Sequence, residues 1–153
     1  MKKMMISFMV VATACMFLTG CSASTPTGTD SNVKELVMQI AQDELRAQLT
    51  TALYAQISRI PINVIGAKVT YAGLKAKASS DKSAKQTIAK VDEVISKIAI
   101  SLENIRTNKI EKEIKKSFSS ADLRIGKNTL PVEYTAQINA DGELYVEVFG
   151  LKF

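Results

Sequence analysis

The sequence predicts an α+β fold in which N-terminal helices pack on one face of a curved antiparallel sheet of about four strands. Apolar residues recur every three or four positions across residues 33–57 and 84–95, which is the spacing of helices with one buried face. From residue 98 onward they alternate with polar residues, which is the pattern of strands with one buried face. A chain of 153 residues is long enough for one core, and we expect a single domain over residues 32–153.

The predicted helices have recognisable first residues. Asn32 precedes the first apolar stripe and a glutamate follows three residues later, so we expect Asn32 to cap a long helix that ends before Pro61. Residues 60–69 are apolar but contain a proline and a glycine, and we expect a loop or short connector there. We expect Thr70 to cap a brief helical turn and Asp81 to cap a further helix.

Alternation places the strands in the second half of the chain. Residues 98–102 start a first strand, and the break in parity at Asn104 and Ile105 predicts a bulge. We expect residues 106–116 to contain the end of that strand, a turn and the start of the next strand. The alternation is unbroken across residues 130–138, which predicts a strand with one buried face.

Parity also predicts how these strands pair. A three-residue loop at residues 140–142 places apolar residues opposite each other, whereas a two-residue turn would place Ala136 opposite Glu147. The favoured register has these pairs: Ile138 with Leu144, Ala136 with Val146, and Tyr134 with Val148. A turn at Lys127 and Asn128 is expected to give these further pairs: Ile125 with Leu130, Leu123 with Val132, and Ala121 with Tyr134. All three strands then share one apolar face.

Residues 1–20 have the pattern of an export signal rather than of a domain. Two lysines precede an uncharged run over residues 4–18, which is shorter than the ~20 residues that a membrane-spanning helix needs. The run closes on these four residues: Leu18-Thr19-Gly20-Cys21. This ending resembles the lipobox of bacterial lipoproteins. The alternatives are a plain secretory signal with an incidental cysteine and an uncleaved N-terminal anchor.

The lipobox resemblance implies cleavage between Gly20 and Cys21 and a diacylglyceryl group on Cys21, which would anchor the chain in a membrane. Ser22 follows the cysteine, and in a Gram-negative host this implies the periplasmic face of the outer membrane. Residues 21–31 contain no large apolar side chain, so we expect them to form a flexible tether. The chain has 20 basic and 15 acidic residues, and cleavage would remove two of the basic ones, which argues against nucleic-acid binding.

The order of the elements carries a second resemblance. Helices followed by an antiparallel meander, behind a lipobox, resemble small exported lipoproteins with a cystatin-like or NTF2-like fold. This resemblance covers residues 32–153, and its most specific local feature is the closing hairpin around Asp141 and Gly142. Such families include binding modules, assembly factors and a few enzymes, so the resemblance implies no single function.

The composition removes most catalytic chemistry. The chain has no His and only 2 Cys, which excludes Ser-His-Asp and Cys-His catalysis and any His-ligated metal site. We therefore predict a protein that is not an enzyme and that uses no metal or cofactor. The best candidates for a buried carboxylate are Glu103 and Glu133.

One candidate contact surface lies on the sheet face opposite the core. Tyr145 and Phe149 project from that face beside Glu133 and Gln137, and this group is a candidate partner surface. The alternative is that the first helix or residues 60–69 cover the same face.

A second candidate surface is basic. Its four lysines are Lys109, Lys112, Lys115 and Lys116. They are candidates for contacts with lipid phosphates or with an acidic partner. The alternative is a solvated hairpin, because Glu111 and Glu113 lie in the same run.

These observations predict a membrane-anchored bacterial lipoprotein that acts as a non-catalytic binding or assembly module. Its expected partner is another envelope protein or the cell wall, and not a nucleic acid. The alternative function is an inhibitory or exclusion lipoprotein that blocks a wall-degrading enzyme or the entry of phage or plasmid DNA.

Overall fold

The computed structural model describes residues 24–65 and 69–153. The export signal, the cleavage position after Gly20 and the lipidation of Cys21 lie outside the described residues and stay predictions.

In the part of the chain that the structure describes, four helices precede a four-stranded antiparallel sheet, which confirms the predicted α+β fold. The helices are α1 (Ser31–Ser58), α2 (Ile62–Ile65), α3 (Tyr71–Lys77) and α4 (Lys82–Lys97). The strands are β1 (Ile100–Glu111), β2 (Lys116–Ile125), β3 (Asn128–Ile138) and β4 (Leu144–Phe149). Each strand pairs with the next one in the chain, so the sheet is a simple meander.

The core lies between the first half of α1 and one face of the sheet, which we call the inner face. Four buried residues of α1 pack there, and they are Val33, Val37, Ile40 and Ala41. The buried residues of the inner face are Ala121, Leu123, Val132, Tyr134, Ala136 and Val146. The helix α4 packs mainly against α1, and α3 packs mainly against α4. None of the four described helices forms a layer on the opposite face of the sheet, which we call the outer face.

Two of the three predicted helix caps are confirmed. The hydroxyl of Thr70 accepts a hydrogen bond from the backbone N–H of Gly73 at 3.0 Å. The Asp81 carboxylate accepts from two backbone N–H groups at the start of α4, at 2.8 and 3.1 Å. The prediction that Asn32 caps α1 is wrong, because α1 begins two residues earlier than that cap implies and Asp30 occupies the N-cap position. The predicted connector after α1 contains one short helix, α2.

The bulge in β1 and the register of the last hairpin are confirmed. The pairing of β1 with β2 shifts between Glu103 and Arg106, and Asn104 there has a positive φ of 50°. In the last hairpin Ala136 pairs with Val146, as the three-residue loop predicts. Its other two predicted pairs, Ile138 with Leu144 and Tyr134 with Val148, are also present.

The predicted register between β2 and β3 is wrong by two residues. Ile125 pairs with Asn128, so the turn consists of Gly126 and Lys127 rather than Lys127 and Asn128. Gly126 has a φ of 58°, a conformation that glycine adopts without the steric cost of a side chain. The observed pairs are Leu123 with Leu130 and Ala121 with Val132. A shift of two residues keeps every side chain on its predicted face, which is why the predicted inner face is still correct.

The prediction of a flexible tether over residues 21–31 is wrong for its second half. Pro26 and Gly28 are buried, and Gly28 lies against the inner face. The Tyr134 hydroxyl donates to the Gly28 carbonyl at 2.9 Å, and the Gly28 N–H donates to the Thr107 hydroxyl at 3.2 Å. Burial raises the pKa of Tyr134 to about 12, so its hydroxyl keeps its proton at neutral pH. The segment docks through the backbone of Gly28 rather than through large apolar side chains.

Gly28 is expected to be necessary for this docking. A Cβ at this position would lie 2.3 Å from the Ser119 Oγ, so Gly28→Ala must displace the segment. We expect residues 24–30 to exchange their amide hydrogens much faster in this variant, while the exchange of the sheet stays slow. Hydrogen-exchange mass spectrometry measures both, with Thr29→Ala, at an exposed position, as the control. Unchanged protection of residues 24–30 in Gly28→Ala would contradict the docked arrangement.

Candidate functional site

A groove crosses the outer face of the sheet, and it is the candidate functional site. Its volume is about 430 Å³. All four strands contribute side chains to it, because alternate residues of each strand point to this face. The polar and charged residues that line it are Asn104, Arg106, Ser120, Asp122 and Glu133. Phe149 at the end of β4 and the following Gly150 line its edge, and we call these seven residues together the groove.

Phe149 is the main apolar side chain that the groove exposes. It is 51% exposed and lies opposite Glu133 in the pairing of β3 with β4. The described residues of the first helix and of the connector therefore do not cover Phe149, which contradicts that alternative at this position. A half-exposed aromatic ring beside polar and charged groups can add buried apolar area when a partner covers it.

The groove also presents charges of both signs. The Asn104 side chain donates to the Asp122 carboxylate at 2.7 Å, which fixes one carboxylate in place. Among the described residues, no carboxylate lies within 4.0 Å of the Arg106 guanidinium, and no cation lies that close to Glu133. One cation and one anion are therefore available to pair with groups of a partner.

Tyr145 and Gln137 share the outer face but do not line the groove. They pair with each other across β3 and β4 and are half buried. The Tyr145 hydroxyl donates to Glu147 at 3.2 Å, and Glu147 also accepts from the Thr135 hydroxyl at 3.3 Å. Burial and the Glu147 carboxylate raise the pKa of Tyr145 above its usual value. Of the predicted partner surface, the groove thus contains Phe149 and Glu133 only.

Arg106 was not among the residues that the sequence singles out for this site. The bulge before it reverses the parity of β1, so the face of Arg106 follows only once the position of the bulge is known. The prediction of Glu103 and Glu133 as candidates for a buried carboxylate is wrong, because both are exposed. Glu103 lies 3.5 Å from the guanidinium of Arg124 at the surface.

The four lysines of the basic group lie together at the end of the β1–β2 hairpin. The Lys109 ammonium pairs with the Glu111 carboxylate and lies 5.6 Å from the centre of the Phe118 ring. Lys116 lies 5.4 Å from the same ring. Lys112 and Lys115 are exposed in the turn between the two strands. The hairpin end is therefore a separate surface from the groove.

Two further observations concern the described part of the chain. In residues 24–65 and 69–153, no group of three or more Cys, Asp or Glu side chains is placed to hold a metal ion. Within the same residues, none of the helices combines the length and the apolar composition that crossing a membrane requires.

Comparison of the chain with protein-family models, with curated proteins and with solved structures finds no match. The resemblances to lipoproteins and to cystatin-like or NTF2-like folds therefore stay predictions.

The aromatic residues of the outer face are expected to matter little for folding. Phe149→Ser is expected to change the free energy of unfolding by less than about 1 kcal/mol, because its ring is already half exposed. Adding Tyr145→Ser is expected to leave the protein folded, with a modest further loss. The control is Val146→Ser on the same strand, which places a hydroxyl in the inner-face core and lowers the melting temperature strongly. Thermal unfolding of the three variants tests the assignment of faces, and a larger loss for Phe149→Ser than for Val146→Ser would contradict it.

Proposed function

We propose that this protein is a bacterial envelope lipoprotein that acts as a non-catalytic binding or assembly module. The observation that carries the proposal is the groove on the outer face, which is open and which combines Phe149 with unpaired charges. The proposed partner is another protein of the envelope.

The composition of the groove supports a protein partner. Aromatic residues and arginine contribute a large share of the binding energy in protein interfaces, and here Phe149 and Arg106 line one groove. The groove is open rather than enclosed by protein on all sides, whereas sites for small molecules usually bury most of their ligand. An open groove with apolar, polar and charged side chains fits the side chains of another protein.

The sequence supports the proposed place and the non-catalytic role. The lipobox at residues 18–21 supports lipidation of Cys21, and Ser22 supports outer-membrane sorting in a Gram-negative host. The chain contains no His, which removes the side chain that most often serves as a general acid or base.

Replacement of Cys21 tests the lipid anchor directly. Cys21→Ser is expected to leave an uncleaved precursor without acyl chains, because the thiol that accepts the diacylglyceryl group is lost. Intact-mass analysis of the chain purified from membranes measures both cleavage and acylation. The matched control is Cys15→Ser, which is expected to be processed normally. A free thiol at Cys21 in the wild-type chain would refute the lipid anchor.

A cross-linking experiment tests the groove as the contact site. A photo-reactive residue at position 149 is expected to cross-link in living cells to one envelope protein, and Arg106→Ala is expected to reduce the yield. The control is the same residue at position 153, because Phe153 is similarly exposed but lies outside the groove. Equal cross-linking of the same protein from both positions would argue against the groove.

A further inference from the structure

We propose that the end of the β1–β2 hairpin rests on the anionic lipid surface of the membrane that holds the anchor. The domain would then stand on the membrane in one orientation instead of moving freely on a tether. This inference rests on the proposed lipidation of Cys21, and it adds a second membrane contact that lipidation alone does not require.

Few residues connect the proposed anchor with the domain. Because Pro26 is buried and Gly28 is docked on the inner face, only residues 21–25 remain to connect Cys21 with the docked segment. Five residue steps separate Cys21 from Pro26, and a fully extended chain covers at most about 18 Å in that many steps. The lipid surface must therefore lie close to the part of the domain where residues 26–28 dock.

The end of the β1–β2 hairpin lies near the docked segment. The Gly28 N–H bonds to Thr107, and Thr107 pairs with Ser119, whose hydroxyl lies close to Gly28. From Thr107 the strand β1 continues for four residues to Glu111, which corresponds to about 13 Å. The hairpin end is thus within the distance that the connecting residues allow between the docked segment and the lipid headgroups.

The hairpin end carries positive charge and exposed apolar side chains. It contains the four lysines described above and two glutamates, so positive charge is in excess. The Lys109 ammonium pairs with the Glu111 carboxylate. Two large apolar side chains are exposed among these lysines, with Ile110 43% and Ile114 49% exposed. Lysines interspersed with exposed apolar residues are typical of surfaces that bind at the headgroup level of anionic membranes.

The helix α2 provides a comparison position far from the hairpin end. The helix α2 follows the C-terminal end of α1, and the 28 residues of α1 give it a length of about 42 Å. Ile62 in α2 is 57% exposed, so it resembles Ile114 in type and exposure. If the hairpin rests on the membrane, Ile62 stays in water, and the two positions form a matched pair.

The test places a polarity-sensitive dye on a single cysteine in the acylated chain. Cleavage removes Cys15, and acylation blocks the sulfur of Cys21. The introduced cysteine is then the one free thiol that the dye can label. Ile114→Cys and Ile62→Cys are each labelled and reconstituted in vesicles of phosphatidylcholine alone or with phosphatidylglycerol. We expect a blue shift and several-fold weaker quenching by aqueous iodide at position 114 on anionic vesicles only. Position 62 is expected to stay fully quenched on both.

Charge variants test whether the lysines are responsible for the protection, and a second labelling position checks the first. Lys112→Gln combined with Lys115→Gln is expected to restore quenching at position 114, and Ile110→Cys replaces Ile114→Cys if that variant misfolds. Equal quenching at positions 114 and 62 on anionic vesicles would overturn the proposal, as would equal protection on both lipid compositions. Protection in native membranes but not in vesicles would indicate an acidic protein instead and would also overturn it.

The same preparation separates this proposal from the lipid anchor. Intact-mass analysis of the labelled chain first establishes whether acyl chains are present. An acylated chain with an exposed position 114 refutes the hairpin contact and leaves the lipid anchor intact. A chain without acyl groups refutes the anchor, and the hairpin contact that rests on it falls as well.

Discussion

The structure depends on the packing of α1 against the inner face of the sheet. Val33 and Val37 are completely buried there, together with Leu123 and nearly all of Tyr134. Among the described residues, the buried apolar core lies on the inner face of the sheet, where α1 covers it, and no helix packs on the outer face. The helix α4 packs mainly on α1, and α3 packs mainly on α4. The open groove is therefore a direct consequence of how α1 is placed.

The second half of α1 forms a small helical layer with α4 and α3. Two threonines that are completely buried show how a polar residue is accommodated there. The Thr50 hydroxyl donates to the Arg46 carbonyl at 2.7 Å, and the Thr87 hydroxyl donates to the Ser83 carbonyl at 2.8 Å. Each hydroxyl satisfies its hydrogen bond within its own helix, so its burial leaves no donor without a partner.

Alternation predicted the faces of the sheet but only part of its register. A slip of one residue would move every apolar side chain to the wrong face, which is why the pairing of Ala136 with Val146 could be predicted. A slip of two residues keeps the faces, so the pattern does not distinguish Lys127 and Asn128 from Gly126 and Lys127 as the turn. The docking of residues 24–30 was not predictable from apolar side chains, because it uses the backbone of Gly28.

The residues of the groove were predictable only where the register of the strands was predictable. Glu133 and Phe149 could be placed on one face by parity, and their direct pairing follows from the correct register of β3 with β4. Asn104 and Arg106 join them only because the bulge in β1 turns both side chains toward the groove. A groove formed by four strands depends on all three registers, and the sequence established one of them in full.

The arrangement also separates the proposed anchor from the proposed contact site. The segment that leads to Cys21 docks on Ser119 and Tyr134, which belong to the inner face. The groove is lined by Ser120 and Glu133, the next residue of β2 and the preceding residue of β3, and it therefore lies on the outer face. Since neighbouring residues of a strand point to opposite faces, the thickness of the sheet lies between the two. A partner bound in the groove would not compete with the docked segment, so anchoring and binding can occur together.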